Sequence, residues 1–114
     1  MMNYSTIHAY PKHQYSEDFE PAMLDLDPMD NLLVIECGNN YTVVDEQEHR
    51  LYNVKANDAT EAVKKYIDWV YGEMYIYEWN AEEGGYDMTS KKERASAHFI
   101  LETDRLDWEE IAEH

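Results

Sequence analysis

Cysteine is almost absent from this sequence, and long apolar runs are absent altogether. Cys37 is the only cysteine among 114 residues, so an internal disulfide is excluded and a reducing compartment is expected. No segment reaches the ~18 apolar residues that a membrane-spanning helix needs, and the first residues lack the apolar run of a signal peptide. These absences predict a soluble protein of the cytoplasm.

Basic residues are the second shortage. Nine lysines and arginines stand against 25 aspartates and glutamates, which leaves a net charge of −16. Such self-repulsion destabilises a compact fold, so an excess of this size indicates a role or a habitat that maintains it. A surface this negative attracts basic proteins and repels nucleic acids and anionic membranes. We therefore expect neither nucleic acid nor membrane as a direct partner.

The composition still supports a folded domain. Hydrophobic residues make up 44 % of the chain and three of them are tryptophans, which excludes a wholly disordered protein. The length fits one modest hydrophobic core. Residues 1–114 are therefore predicted to form a single acidic domain, in which residues 1–16 are either an arm or an edge strand.

The segment 57–74 has the clearest periodicity in the chain. Asp58 suits the N-cap of a helix, Glu61 completes a start that resembles a capping box, and Gly72 stands where the helix would end. Apolar residues recur at the spacing of one helix face, namely Ala59, Ala62, Val63, Tyr66, Ile67, Val70 and Tyr71. A helix that is apolar on one side requires a sheet to cover that side.

Strands are predicted on both sides of this helix from short apolar or alternating segments. The three strands before it are 32–37, 41–45 and 51–56. After it come strand 74–79, a glycine-containing loop at 81–85, a return strand from residue 86, a basic loop at 91–94, strand 97–103 and an acidic helix over 104–113. Pro21 suits the first turn of a further short helix. The predicted fold is α+β, in the order β-β-β-α-β-(β)-β-α, with an antiparallel sheet and the main helix packed on one face.

None of the motifs that carry chemistry is complete. A calcium loop starting at Asp25 is spoiled by Pro28 and by Asp30, which stands where that loop needs glycine. The histidines lack zinc-ligand spacing apart from the loose pair His8 and His13. Cys37 has no neighbouring cation to activate it. No catalytic residue, metal or cofactor is predicted, and we do not expect an enzyme.

The acidic residues concentrate in two blocks. No basic residue occurs between Lys12 and Arg50 or between Lys65 and Lys91, whereas a solvated surface usually mixes both signs. Trp79 and Tyr86 flank the second block and are of the types that anchor interfaces. The candidate partner-binding residues are Asp25, Asp27, Asp30, Asp45, Glu46, Glu48, Glu78, Trp79, Glu82, Glu83, Tyr86 and Asp87.

In size and charge the chain resembles small phage-encoded DNA-mimic proteins of the anti-restriction and anti-CRISPR kind. The resemblance implies a non-catalytic inhibitor that occupies the basic nucleic-acid-binding surface of a defence nuclease or guide complex, in the cytoplasm of the host cell. We expect a monomer or a homodimer. Two alternatives stay open. One is an immunity or antitoxin protein that neutralises a basic toxin through a few aromatic residues, and the other is an acidic structural module whose charge reflects the salt of its habitat.

Overall fold

The computed structural model describes residues 2–11 and 26–106, without the side chains of Trp79, Arg105 and Leu106. A short 3₁₀ helix, Ala95–His98, precedes the last strand. The strands and the α-helix are β1 (Met2–Pro11), β2 (Met29–Cys37), β3 (Asn40–Asp45), β4 (Arg50–Lys55), α1 (Ala59–Tyr71), β5 (Glu73–Asn80), β6 (Gly85–Arg94) and β7 (Phe99–Leu106).

The strands form two antiparallel sheets. The larger has five strands in the order β4-β3-β2-β1-β7, and the smaller is the hairpin of β5 and β6. An antiparallel sheet with one α-helix confirms the predicted α+β class. The detailed order differs, since a strand that the prediction left undecided comes first and β5 and β6 stand outside the main sheet.

Strand β1 lies inside the large sheet. It pairs with β2 on one side and with β7 on the other, so residues 2–11 are neither an arm nor an edge strand. Ile7 and Ala9 are fully buried, whereas His8 and Tyr10 between them lie on the other face. Buried and less buried side chains do alternate along β1, but over only a few residues. The polar residues beside them hide this pattern in the sequence.

Helix α1 covers the buried face of the large sheet. Ala62, Val63, Tyr66 and Ile67 are inaccessible to solvent and share one core cluster with side chains of the strands beneath them. The predicted apolar stripe is therefore correct at its centre. At its end the prediction is wrong, because Tyr71 remains 39 % exposed.

Both predicted ends of α1 are confirmed. Asp58 Oδ1 accepts a hydrogen bond from the Glu61 amide at 2.7 Å, and Glu61 Oε2 accepts one from Asn57 Nδ2 at 3.0 Å. Gly72 adopts a positive φ of 75° and donates its amide hydrogen to the Asp68 carbonyl at 2.7 Å. Local signals are sufficient here because each contact spans four residues or fewer.

The hairpin of β5 and β6 turns through Gly84, which has a φ of 68°. Residues 91–94 belong to β6, so the predicted basic loop is wrong and this segment continues the return strand. The Cα atoms extend 58 Å along the long axis and 26 and 22 Å across it. An arm of eight strand residues, about 26 Å long, agrees with this elongated shape.

The final strand differs from its prediction at both ends. Residues 97 and 98 belong to the 3₁₀ helix, and residues 104–106 continue β7 instead of starting a helix. The remainder of that predicted helix, and the one predicted at Pro21, lie outside the described residues. Within residues 2–11 and 26–106, no helix has the length and apolar character needed to cross a membrane.

Candidate acidic interaction surface

Carboxylates from two separate turns meet at one end of the large sheet. Asp27 and Asp30 lie at the entry to β2, and Glu46 and Glu48 lie in the turn between β3 and β4. Because β2 and β3 are antiparallel, the start of one lies beside the end of the other. The Asp30 amide donates to Gln47 Oε1 at 3.4 Å, which joins the two turns directly.

Strand β7 brings two further carboxylates to this end. Glu102 pairs with His8 in the ladder, and Asp104 pairs with Thr6. His8 lies between Asp104 and Asp30, with Nε2 3.5 Å from an Asp104 oxygen and Nδ1 3.7 Å from an Asp30 oxygen. We name the acidic sheet end by its residues, which are Asp27, Asp30, Glu46, Glu48, Glu102 and Asp104.

A backbone contact orients the His8 ring. The Asn31 amide donates to His8 Nδ1 at 3.3 Å, and Asn31 adopts a φ of 58°. Because Nδ1 accepts this hydrogen bond, the proton of the neutral imidazole lies on Nε2, which faces Asp104. His8 thus links Asp104 of β7 to the entry of β2.

Two tyrosines report the negative field at this end. Burial raises the pKa of Tyr10, and the charges of Asp30 and Glu102 raise it further. Burial also raises the pKa of Tyr71, where Asp27 adds to the rise and Arg50 opposes it. Negative charge disfavours ionisation of a phenol, so both shifts agree with an accumulation of carboxylates there.

Most of these carboxylates reach solvent without a basic partner. Asp27, Glu46, Glu48 and Glu102 are exposed, and the Asp104 side chain is 77 % exposed. The lysine and arginine ion pairs found among the described side chains lie around α1, where Lys65 contacts Glu61 and Arg94 contacts Asp68. Within that part of the chain, no lysine or arginine nitrogen lies within 4.0 Å of the acidic sheet end.

Asp45 does not belong to this surface, although it was a candidate. It is 1 % exposed and accepts hydrogen bonds from the Tyr66 hydroxyl at 2.5 Å and the Glu48 amide at 3.3 Å. A carboxylate enclosed in this way cannot contact a partner. Its arrangement supports the turn that carries Glu46 and Glu48.

The candidate acids of the second predicted block lie toward the tip of the hairpin. Asn80 organises the tip, because its Oδ1 accepts from the Glu82 amide at 3.0 Å and its Nδ2 donates to Asp87 at 2.7 Å. Glu78 lies directly opposite Asp87 in the ladder. Like charges in this position are destabilising. We name the hairpin tip by its exposed acids, which are Glu78, Glu82, Glu83 and Asp87.

The remaining candidates are distributed as follows. Tyr86 is 37 % exposed and pairs with Trp79 in the ladder. The Trp79 side chain and all of Asp25 lie outside the described residues. The structure thus gathers Asp27, Asp30, Glu46 and Glu48 in the large sheet and the hairpin-tip acids in the small one.

Sequence reasoning missed Glu102 and Asp104. They follow the basic segment 91–94 and precede Arg105, so they belong to neither acidic block. Only the pairing of β7 with β1 places them beside Asp30. A prediction that β1 and β7 are neighbours would have found them, but residues 2–11 gave no clear strand signal.

Among residues 2–11 and 26–106, no group of three or more histidines, cysteines, aspartates and glutamates is arranged to hold a metal ion. Comparison of the chain with protein-family models, curated proteins and solved structures finds no match.

Proposed function

We propose that the protein is a non-catalytic inhibitor that occupies the basic nucleic-acid-binding surface of a defence nuclease or guide complex, where its carboxylates take the place of DNA phosphates. The observation that supports this most strongly is the acidic sheet end. Its six carboxylates come from three separate segments of the chain, and no described lysine or arginine nitrogen lies within 4.0 Å of them, although the charge of Arg50 acts on Glu48. Chance clustering along the sequence does not explain this convergence.

The supporting framework suits such a role. Residues on one face of a strand recur every ~6.6 Å, and neighbouring strands lie ~4.8 Å apart. Glu102 and Asp104 are two residues apart on β7, and Asp30 enters two strands away. The strand backbones that carry these carboxylates are already ordered, so only the side chains lose conformational freedom on binding. They accept bidentate hydrogen bonds from arginine, as phosphates do.

Retained charge of this kind has a cost in stability. Unpaired carboxylates repel one another, and the Glu78–Asp87 pair in the ladder adds a local repulsion. Stability is commonly lower at sites that serve function. This pattern favours a functional surface over an incidental one.

The direct test is capture of the partner from a host lysate by the immobilised full chain. At about 0.15 M salt we expect a basic nucleic-acid-binding protein to be captured, to be released by added duplex DNA, and to be lost as ionic strength rises. The chain alone should not bind DNA. Capture that is indifferent both to salt and to competing DNA would contradict mimicry.

A matched pair of variants separates local arrangement from total charge. The sheet-end variant is D27N/E46Q/E48Q/E102Q, and the tip variant is E78Q/E82Q/E83Q/D87N. Each removes four negative charges and changes the net charge from −16 to −12. We expect the sheet-end variant to lose affinity about tenfold more than the tip variant, since a defined array of contacts is removed.

Equal losses in the two variants would show that net charge, and not the acidic sheet end, determines binding. An immunity or antitoxin protein would give a third result. A single change such as Tyr86→Ala would then abolish capture, because aromatic residues dominate interfaces of that kind, while the sheet-end variant would bind normally.

A further inference from the structure

The hairpin of β5 and β6 is attached to the rest of the domain mainly at its root. Met74 and Tyr77 pack against the core cluster, and the Ala95 amide donates to the Gly72 carbonyl at 2.7 Å. Beyond the root, β6 is exposed along almost its whole length. A two-stranded hairpin alone is marginally stable in water, so a further cover over its outer half would stabilise it.

The distal half of the hairpin has two different faces. Tyr77 lies opposite Met88, and the next pair along the ladder is Glu78 and Asp87. Paired residues share a face and successive residues alternate, so Tyr77, Met88 and Tyr86 share one face and the carboxylates the other. Met88 is 58 % exposed and Tyr86 is 37 % exposed. Among the described residues, this face is therefore covered by the core at Tyr77 and exposed beyond it, at Met88 and Tyr86.

Charge is segregated along the length of the hairpin. The charged residues of the tip are all acidic, whereas the root holds three basic residues of β6, Lys91, Lys92 and Arg94, against the two acids Glu73 and Glu93. When two hairpins are laid antiparallel, the acidic tip of each lies against the basic root of the other. A two-fold dimer requires such a self-complementary patch. A parallel arrangement would oppose tip to tip.

Contact between faces fits this hairpin better than pairing between strand edges. The charged residues of β5 are all acidic, so two β5 edges would repel each other. The ladder register shifts between Tyr75 and Tyr77, and the Lys91 amide donates back to Thr89 Oγ1 at 3.2 Å. Irregularities of this kind protect a strand edge from pairing.

We propose that two copies of the chain dimerise through the apolar faces of their hairpins, packed antiparallel about a two-fold axis near Met88. Glu82 and Glu83 of each copy lie against Lys91 and Lys92 of the partner subunit. A second copy supplies an apolar face to cover the first one. It also places basic residues beside the acidic tip and acidic residues beside the basic root. The acidic sheet end belongs to the other sheet, so this dimer does not depend on the proposed function.

The test is a charge exchange followed by sedimentation equilibrium of the full chain. The tip-reversed variant E82K/E83K and the root-reversed variant K91E/K92E each oppose like charges in a homodimer. Mixed together, the two variants oppose unlike charges at both ends of the contact. We expect the wild type to dimerise within about 1 to 300 µM, each variant alone to lose about tenfold or more in dimer affinity, and the mixture to recover it as a heterodimer.

Two controls keep the result interpretable. K55E/K64E changes the net charge from −16 to −20, as K91E/K92E does, but alters lysines outside the hairpin, and it should leave dimer affinity within about twofold of the wild type. Met88→Asp should weaken the dimer about tenfold or more by placing a charge in the apolar contact. Circular dichroism and thermal unfolding confirm that each variant is folded.

The proposal is overturned if the wild type stays monomeric over this concentration range, or if mixing the exchanged variants restores nothing. It is also overturned if the wild type is monomeric and Met88→Asp weakens capture of a basic partner, because the apolar face would then belong to that partner. Recovery in the mixture, with K55E/K64E unaffected, supports the antiparallel hairpin dimer.

Discussion

The Tyr66 hydroxyl donates a 2.5 Å hydrogen bond to Oδ2 of Asp45, joining helix α1 to the end of strand β3. Both side chains are buried, at 0 % and 1 % exposure. The Glu48 amide donates to the other carboxylate oxygen, so the bond also holds the turn that contributes Glu46 and Glu48 to the acidic sheet end. A structural contact in the core thus supports the proposed surface.

Replacing Tyr66 with phenylalanine tests this contact. The change leaves the buried Asp45 carboxylate without its strongest donor, which costs about 1.5–3 kcal/mol for a hydrogen bond to a charged group. We expect urea unfolding at neutral pH to show a loss of that size. Tyr71→Phe is the control, because Tyr71 is 39 % exposed, and it should change stability by less than about 0.5 kcal/mol. Equal effects of the two changes would contradict the assigned role.

The same bond predicts a loss of stability at alkaline pH. Burial and then the hydrogen bond to Asp45 raise the pKa of Tyr66 to about 12, whereas in the unfolded chain it is about 10. The raised pKa means that the native state holds the proton more tightly. The protonated Tyr66 hydroxyl therefore contributes fully to the free energy of unfolding below pH 10, and this contribution is lost as the pH rises toward 12. Tyr66→Phe should lack this component, as unfolding free energies measured from about pH 8 to 12 would show.

Gly72 should tolerate a side chain less well than Gly85. Gly72 has a φ of 75° and a ψ of −136°, a region almost closed to other residues, and strain of this kind costs about 1–3 kcal/mol. Gly85 has no positive φ and open space around it. We expect Gly72→Ala to lower the free energy of unfolding by that amount and Gly85→Ala to change it by less than about 0.5 kcal/mol. A reversed order would contradict the described helix end.

The start of α1 gives a further measurable effect. Asp58→Ala removes the cap on the Glu61 amide, which typically costs about 1 kcal/mol. Asp58→Ser keeps an oxygen at the N-cap and should recover most of the loss in thermal or urea unfolding. If serine is as destabilising as alanine, capping is not the contribution that Asp58 makes.

Ionic strength distinguishes an interaction surface from an adaptation to salt. Raising the salt from about 0.01 to 0.15 M shortens the screening length from about 30 to 8 Å, so we expect the free energy of unfolding to rise over this range as the repulsion within a chain of charge −16 is screened. Little further gain is expected at molar salt. A steep continuing rise, without a captured partner, would favour the acidic structural module.

The parts of the fold that depend on contacts between residues close in the chain could be predicted from the sequence. The ends of α1, its central apolar stripe and the three strands before it are specified within a few residues of chain. The interior position of β1, the separation of the hairpin into its own sheet and the burial of Asp45 depend on distant contacts. Nothing in the sequence around Asp45 distinguishes it from an exposed acid, because its hydrogen-bond donor, Tyr66, lies on a different element. For the same reason the acidic sheet end could be predicted only in the part that lies in one acidic block.

The pairing of Thr6 with Asp104 joins positions roughly 100 residues apart. During synthesis the first strand therefore leaves the ribosome long before its β7 neighbour exists, and one of its edges stays open throughout that time. Premature termination before residue 99 would leave this edge permanently unpaired and prone to aggregate.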